Sequence, residues 1–123
     1  MIQLRTILTP ADNCGAKALR VIHIDKKGSR VFYGKIGDIV TAVVDQAIPM
    51  GIVKNSEIVK ALVVRTKKTI RRKDGTYVRF DDNAGVIIDK DGNPRGTRIF
   101  GPIAREIKDL GYSKIVSQAK EVV

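Results

Sequence analysis

Six of the nine residues from Arg65 to Lys73 are cationic: Arg65, Lys67, Lys68, Arg71, Arg72 and Lys73, with Arg79 following a few positions later. The chemistry that such density suits is neutralisation of phosphate oxygens, Arg through a planar fork of donors and Lys as a compact charge. Folding does not call for so many like charges in one place. Their repulsion opposes the compact state, and a polyanion is the partner that most simply offsets it. Solvated charges scattered for solubility account singly for Arg5, Lys17, Arg20, Lys26, Lys27, Arg30, Arg95, Arg98 and Arg105, but not for this cluster. Over 123 residues, 23 Lys and Arg stand against 13 Asp and Glu, a formal charge of +10 that is the footprint of a nucleic-acid binder.

Groups that could do covalent or acid–base chemistry are sparse. His23 is the sole histidine, set between Ile22 and Ile24 in a β-branched run, where a strand side chain with a local hydrogen bond is expected rather than a general base. Cys14 is the sole cysteine, has no neighbouring His, and reads as a small thiol in a turn. Asp81 and Asp82 are adjacent, so on a strand they point to opposite faces and are expected to neutralise Lys68 and Lys67 rather than to share a proton. Residues 89–94 have the look of a calcium loop but lack the later bidentate Glu. The expectation is no catalytic residue, no metal, no cofactor and no small-molecule substrate.

The elements that would carry the cations follow from turn chemistry and period. Asp74-Gly75 reads as the two-residue turn of a hairpin drawn between Ala61 and Ile88. That turn would place Leu62 opposite Ile87, Val63 opposite Val86, Lys73 opposite Thr76 and Arg72 opposite Tyr77. The base of the hairpin is apolar on both faces and belongs in a core, and from Arg65 outward the ribbon leaves it. Further strands are expected over residues 6–11, 17–25 and 39–44, with a weak one at 31–33, separated by turns at 12–15, 25–30 and 48–51. Gly101-Pro102 followed by Ile103, Ile107, Leu110 and Gly111 predicts a short helix with Pro in its first turn and a Gly stop, and a second turn of helix or strand is expected at 114–118. Short strands with helices only at the end, in a chain with eleven Gly and four Pro, predict a mainly β fold closed as a small barrel in a single domain. The barrel would span about 1–100, the ribbon about 65–82 and the C-terminal helical region about 101–123.

No stretch approaches the ~20 apolar residues of a membrane span. Residues 1–10 lack the pattern of a secretory signal, and one cysteine allows no internal disulfide, so a cytosolic or organelle-matrix setting is expected. Two RNA-binding modes remain. A stand-alone single-strand binder would stack bases on exposed aromatics, whereas here Phe and Tyr total six, Trp is absent, and Phe80 and Phe100 are expected in the core. Gripping folded RNA by its backbone needs Lys and Arg on several surfaces, as at Arg5, Lys17, Arg20, Lys26, Lys27, Arg30, the ribbon, Arg95, Arg98 and Arg105. Lys17, Arg20, Arg30, Arg95 and Arg105 thus join Arg65, Lys67, Lys68, Arg71, Arg72, Lys73 and Arg79 as the expected RNA-binding residues.

Several blocks resemble a known family: Ala11-Asp-Asn-Cys-Gly-Ala-Lys17, Val59-Lys-Ala-Leu-Val-Val-Arg-Thr-Lys67, Arg79-Phe-Asp-Asp-Asn-Ala84 and Pro94-Arg-Gly-Thr-Arg-Ile-Phe-Gly-Pro-Ile-Ala-Arg-Glu106. With Met1-Ile-Gln, Gly37-Asp38 and Arg72-Lys-Asp-Gly75, they make essentially the whole chain similar to large-subunit ribosomal protein fourteen, in the length of its bacterial or organellar form. The resemblance implies a five-stranded barrel with a projecting ribbon and a short helical C-terminal region. It implies binding to large-subunit rRNA, contacts to ribosomal proteins three and nineteen, and an intersubunit bridge to small-subunit rRNA. It also implies docking of the ribosomal silencing factor on the bridge surface, carried here by Thr97, Arg98 and Lys114. Cys14 stands where the family has Ser or Thr, Met50 where it has Gly or a basic residue, and Gln118 and Lys120 where it has Leu and Pro.

Overall fold

Along the strand β3 (Ile39–Val44), Val40, Ala42 and Val44 alternate with Ile39, Thr41 and Val43, and a period of two can bury only one of these sets against a single core. In the computed structural model, which describes residues 2–25 and 33–123, the first set is buried and the second half-exposed. Beside β3 lie β2 (Leu19–Ile24) and β4 (Ile58–Arg65), and β1 (Ile7–Pro10) and β7 (Ala84–Ile88) complete a closed barrel in the order β1-β2-β3-β4-β7. All pairings are antiparallel except the closing one, where Thr9 meets Ala84 and Pro10 meets Gly85 in parallel. Closure leaves the five barrel strands, among the described residues, each with a partner on both sides.

Two cores meet at β4 and β7. Leu8, Leu19, Val21, Val40, Ala42, Val59, Ala61, Val63 and Ile87 fill the barrel. Leu62, Val64, Val86 and Ile88 point the other way, into a second cluster with Ile99, Ile103, Ile107 and Ile115. The hairpin base is therefore buried on both faces, as its unbroken apolar run predicts. The C-terminal region supplies the outer layer.

That region departs from the expected single Pro-led helix. Pro102–Ile103 forms a short strand, β8, paired in parallel with β9 (Glu121–Val122). Helix begins only at α1 (Glu106–Asp109), and α2 (Ser113–Gln118) follows after Gly111 at φ +94°. Ile103 and Ile107 are buried as expected, whereas Leu110 is exposed. The cause is tertiary: Phe100 and Pro102 turn their carbonyls to the Arg65 guanidinium at 2.8 and 3.1 Å, and the Ala104 N–H donates to Val64 O. Backbone drawn onto the barrel in this way is extended, so Pro102 cannot open a helix. Phe100, expected in the core, is half-exposed for the same reason.

The ribbon consists of β5 (Ile70–Arg71) and β6 (Tyr77–Val78), and its register is one residue off the expectation. Ile70 pairs with Val78 and Arg71, not Arg72, with Tyr77; at the base, Leu62 pairs with Val86 and Ala61 with Ile87. The turn has three residues. Gly75 N–H donates to Arg72 O at 3.0 Å, Arg72 N–H donates to Thr76 O at 2.8 Å, and Gly75 adopts φ +88°. This is a type I turn closed by a left-handed glycine, which consumes one residue more than a two-residue turn. Gly75 has open space around it, so Gly75→Ala meets only the backbone penalty and should destabilise by about 1 kcal/mol in a thermal melt.

Candidate nucleic-acid interface

Alternation along the ribbon sorts its cations. Ile70 and Val78 pack on the second core, so Arg72, two residues from Ile70, points toward the C-terminal helices. There its Nε donates to Glu106 Oε1 at 2.7 Å and its NH2 group to Glu106 Oε2 at 3.3 Å and Val123 O at 2.6 Å. The hydrogen bonds to Glu106 raise the Arg72 pKa further, and its charge is spent on holding the ribbon to α1. Arg71 and Tyr77 take the opposite face and are exposed, as are Lys67, Lys68, Lys73 and Arg79. Among the described residues, none of these five cations has a carboxylate within ion-pair distance.

Arg65 belongs to the interior. It is buried, and its Nε and NH2 groups donate to Asp82 at 3.0 and 3.3 Å while NH1 serves the two carbonyls of the 100–102 segment. Every donor direction used points into protein. Asp82 therefore neutralises Arg65 rather than Lys67, because the bulge between Val63 and Arg65 turns that side chain onto the β7 side. Lys67 is fixed instead through its backbone N–H, which donates to Asn83 Oδ1 at 2.9 Å. Beside this root lies an open cleft of about 550 Å³ whose lining includes residues of both charge signs, Arg79 with Asp81, Asp82 and Glu121.

The remaining sequence-predicted cations divide similarly. Lys17 and Arg105 are exposed. Arg20 pairs with Asp45 at 3.4 Å, and the half-buried Arg95 approaches Glu57 at 3.6 Å. Arg30, Lys26, Lys27 and the expected strand residues 31–32 lie outside the described residues. Sequence reasoning missed Tyr77, an exposed ring beside Arg71 on the ribbon; the signal that could have found it is the three-residue turn, which puts the two on one face.

Thr97 and Arg98 are exposed on a segment clasped by Asn13, whose Oδ1 accepts from both backbone N–H groups at 2.8 and 3.2 Å and whose Nδ2 donates to Thr97 Oγ1 at 2.8 Å. Lys114 sits on α2 and lines a separate hollow with Asp91, Asn93 and Tyr112. Beneath the Asn13 clasp, Asp12 Oδ2 accepts from Ile87 N–H at 3.0 Å and from the Cys14 thiol at 3.3 Å. Burial raises the Asp12 carboxyl and pushes the Cys14 thiol up to about 12, so Cys14 is a buried turn thiol and not a nucleophile at neutral pH.

His23 has the local hydrogen bond expected of it, Nδ1 to Asp25 Oδ1 at 3.2 Å. Burial acts to raise the Asp25 carboxyl, but hydrogen bonds from Lys60, Thr41 and His23 outweigh it and hold the group low, as a constant acceptor. Among the described residues no group of three or more His, Cys, Asp or Glu could hold a metal ion, and no helix is long and apolar enough to cross a membrane.

A barrel buried on both faces of one hairpin, with a cationic ribbon pinned to it through Arg65 and Arg72, is the geometry on which the family comparison bears. The family model described as ribosomal protein L14p/L23e matches residues 1–123, and the chain belongs to that family of structural, non-enzymatic constituents of the large ribosomal subunit.

Proposed function

We propose that the chain binds large-subunit rRNA by its phosphates, with Lys67, Lys68, Arg71, Lys73 and Arg79 as the principal grip and Lys17 and Arg105 as outlying contacts. The observation that carries this reading is that five ribbon cations are exposed and unneutralised while the other two, Arg65 and Arg72, are used to hold the ribbon rigid. A preformed cationic surface binds without first ordering its side-chain platform. Tyr77 adds a face on which an unpaired base can stack. A stand-alone single-strand binder is the rival, and sedimentation separates the two: co-migration with large subunits through a gradient at moderate salt supports the assembled role, and release into the light fractions supports the rival.

The same proposal gives the remaining surfaces to partners. Thr97, Arg98 and Lys114 face small-subunit rRNA at an intersubunit bridge and serve as the docking surface for the ribosomal silencing factor, and ribosomal proteins three and nineteen lie alongside. Thr97 and Arg98 owe their presentation to Asn13, which leaves both side chains on the surface. Arg98→Glu with Lys114→Glu should leave incorporation into large subunits nearly normal while weakening subunit joining and factor binding together. The loss should be about 2–5 kcal/mol if the contacts are desolvated and much less at a rim. Gradient profiles and pull-downs on the double variant check this; normal joining with defective large-subunit assembly would mean that the patch faces inward.

A further inference from the structure

The end of the β3–β4 hairpin, residues 45–57, presents a surface that phosphate binding does not explain. From Gln46 to Val53 the chain carries no charge, although the whole has +10. Met50 is 95% exposed, Ile48 and Ile52 are about half-exposed at 46% and 49%, and Pro49 is exposed between them. The apolar surface continues on the outer barrel wall, where register aligns Ile7, Arg20, Val43 and Ile58 in one cross-strand row. Ile7 and Ile58 are both more than half exposed. The cation in that row, Arg20, is neutralised by Asp45, and Arg95 is neutralised by Glu57 at the other root of the loop.

The loop is held in shape. Ile48 N–H donates to Gly15 O at 2.9 Å, Ile52 N–H to Cys14 O at 2.8 Å, and Lys17 N–H to Gln46 O at 2.8 Å. Gly51 lies against the 14–15 backbone so closely that a Cβ there would sit 2.7 Å from Cys14 O. Apolar side chains are thus displayed on backbone that is already ordered, which spares a partner the entropy of ordering it.

We propose that this hairpin end is a docking knob, with Met50 at its tip, that inserts into an uncharged apolar pocket on a neighbouring protein of the large subunit. The proposal rests on the reading of the chain as an rRNA-bound member of that subunit. RNA is the poorer occupant of the tip, since Gln46 to Val53 offer no cation to phosphate, Arg20 and Arg95 beside them are paired, and the exposed Lys17 and Lys54 lie at the roots of the loop. A second copy is poorer still: two chains of +10 repel, and the few residues of the knob fall well short of the roughly 20–30 a side of a self-standing interface. A neighbour already held in place by the same assembly needs only a small contact, and the unbranched thioether of Met adapts to an irregular pocket.

The test places a photoreactive side chain at the tip, Met50→benzoylphenylalanine, in protein assembled into large subunits, with irradiation followed by mass spectrometry of the cross-linked product. The expected product is one ribosomal polypeptide joined at position 50, with its yield lowered at least tenfold when Ile48→Glu and Ile52→Glu are added. A cross-link to rRNA, a cross-link to a second copy, or no cross-link from fully assembled subunits would overturn the proposal. If wild-type protein also fails to sediment with large subunits, the underlying reading of the chain fails, and the docking knob with it.

Discussion

Replacing Lys67, Lys68, Arg71, Lys73 and Arg79 together by Ser should lower affinity for large-subunit rRNA by about 10³- to 10⁴-fold near 0.1 M salt. Each neutralised phosphate releases condensed counterions, which at that concentration is worth roughly a factor of five per contact with the slope for single strands. All five side chains are exposed and outside the ion pairs of the described residues, so nothing in the fold depends on them. The thermal melt should stay cooperative and keep its midpoint or rise slightly as like-charge repulsion is relieved. Adding Arg72→Ser should change that outcome, because Glu106 and the Val123 carbonyl then lose their donor. A five-residue variant that unfolds, or that binds as well as the parent, would show that the ribbon is structural or that the grip lies elsewhere.

Arg65 is expected to behave in the opposite way. Arg65→Met keeps the length of the side chain but strands Asp82 and leaves the carbonyls of Phe100 and Pro102 without a donor. Only the Arg65 side of the pair is buried, the Asp82 side chain being 39% exposed, so the loss should fall below that of a fully buried pair, at about 2–3 kcal/mol, which for a chain of this size lowers the melting midpoint by roughly 10 °C. Below its melting range the variant should bind rRNA with nearly parental affinity, since this guanidinium faces protein. Denaturant titration and filter binding on the same preparation separate the two effects. Unchanged stability with collapsed binding would return Arg65 to the RNA surface.

The contrast between Arg65 and Arg71 marks where the sequence was legible. Counting cations points to the candidate interface, because density of like charge needs no register to be noticed. Assigning each cation a direction needed the register, and one turn residue decided it. With a two-residue turn Arg72 meets Tyr77; with Gly75 in the left-handed region Arg71 does, and Arg72 falls to the inner face. The barrel strands at 39–44 and 58–65 were readable because their alternation and unbroken apolar runs answer to local burial. Residues 100–104 were not, because Pro102 and the Ile103 to Ile107 spacing fit a helix locally, while the carbonyls are held by an arginine 35 and 37 positions earlier. Long-range hydrogen bonds to a buried charge leave no trace in a local window. Phe100 was misplaced for the same reason.

The central claim is that an exposed and rigid cationic ribbon grips rRNA through its phosphates. Salt titration of the wild-type protein on large-subunit rRNA tests it most directly. If about six phosphates are contacted, affinity should fall roughly 10³-fold between 50 and 200 mM monovalent salt, along a straight line of log affinity against log salt with a slope of about −4 to −5. A slope near zero, with tight binding retained at 200 mM, would contradict it.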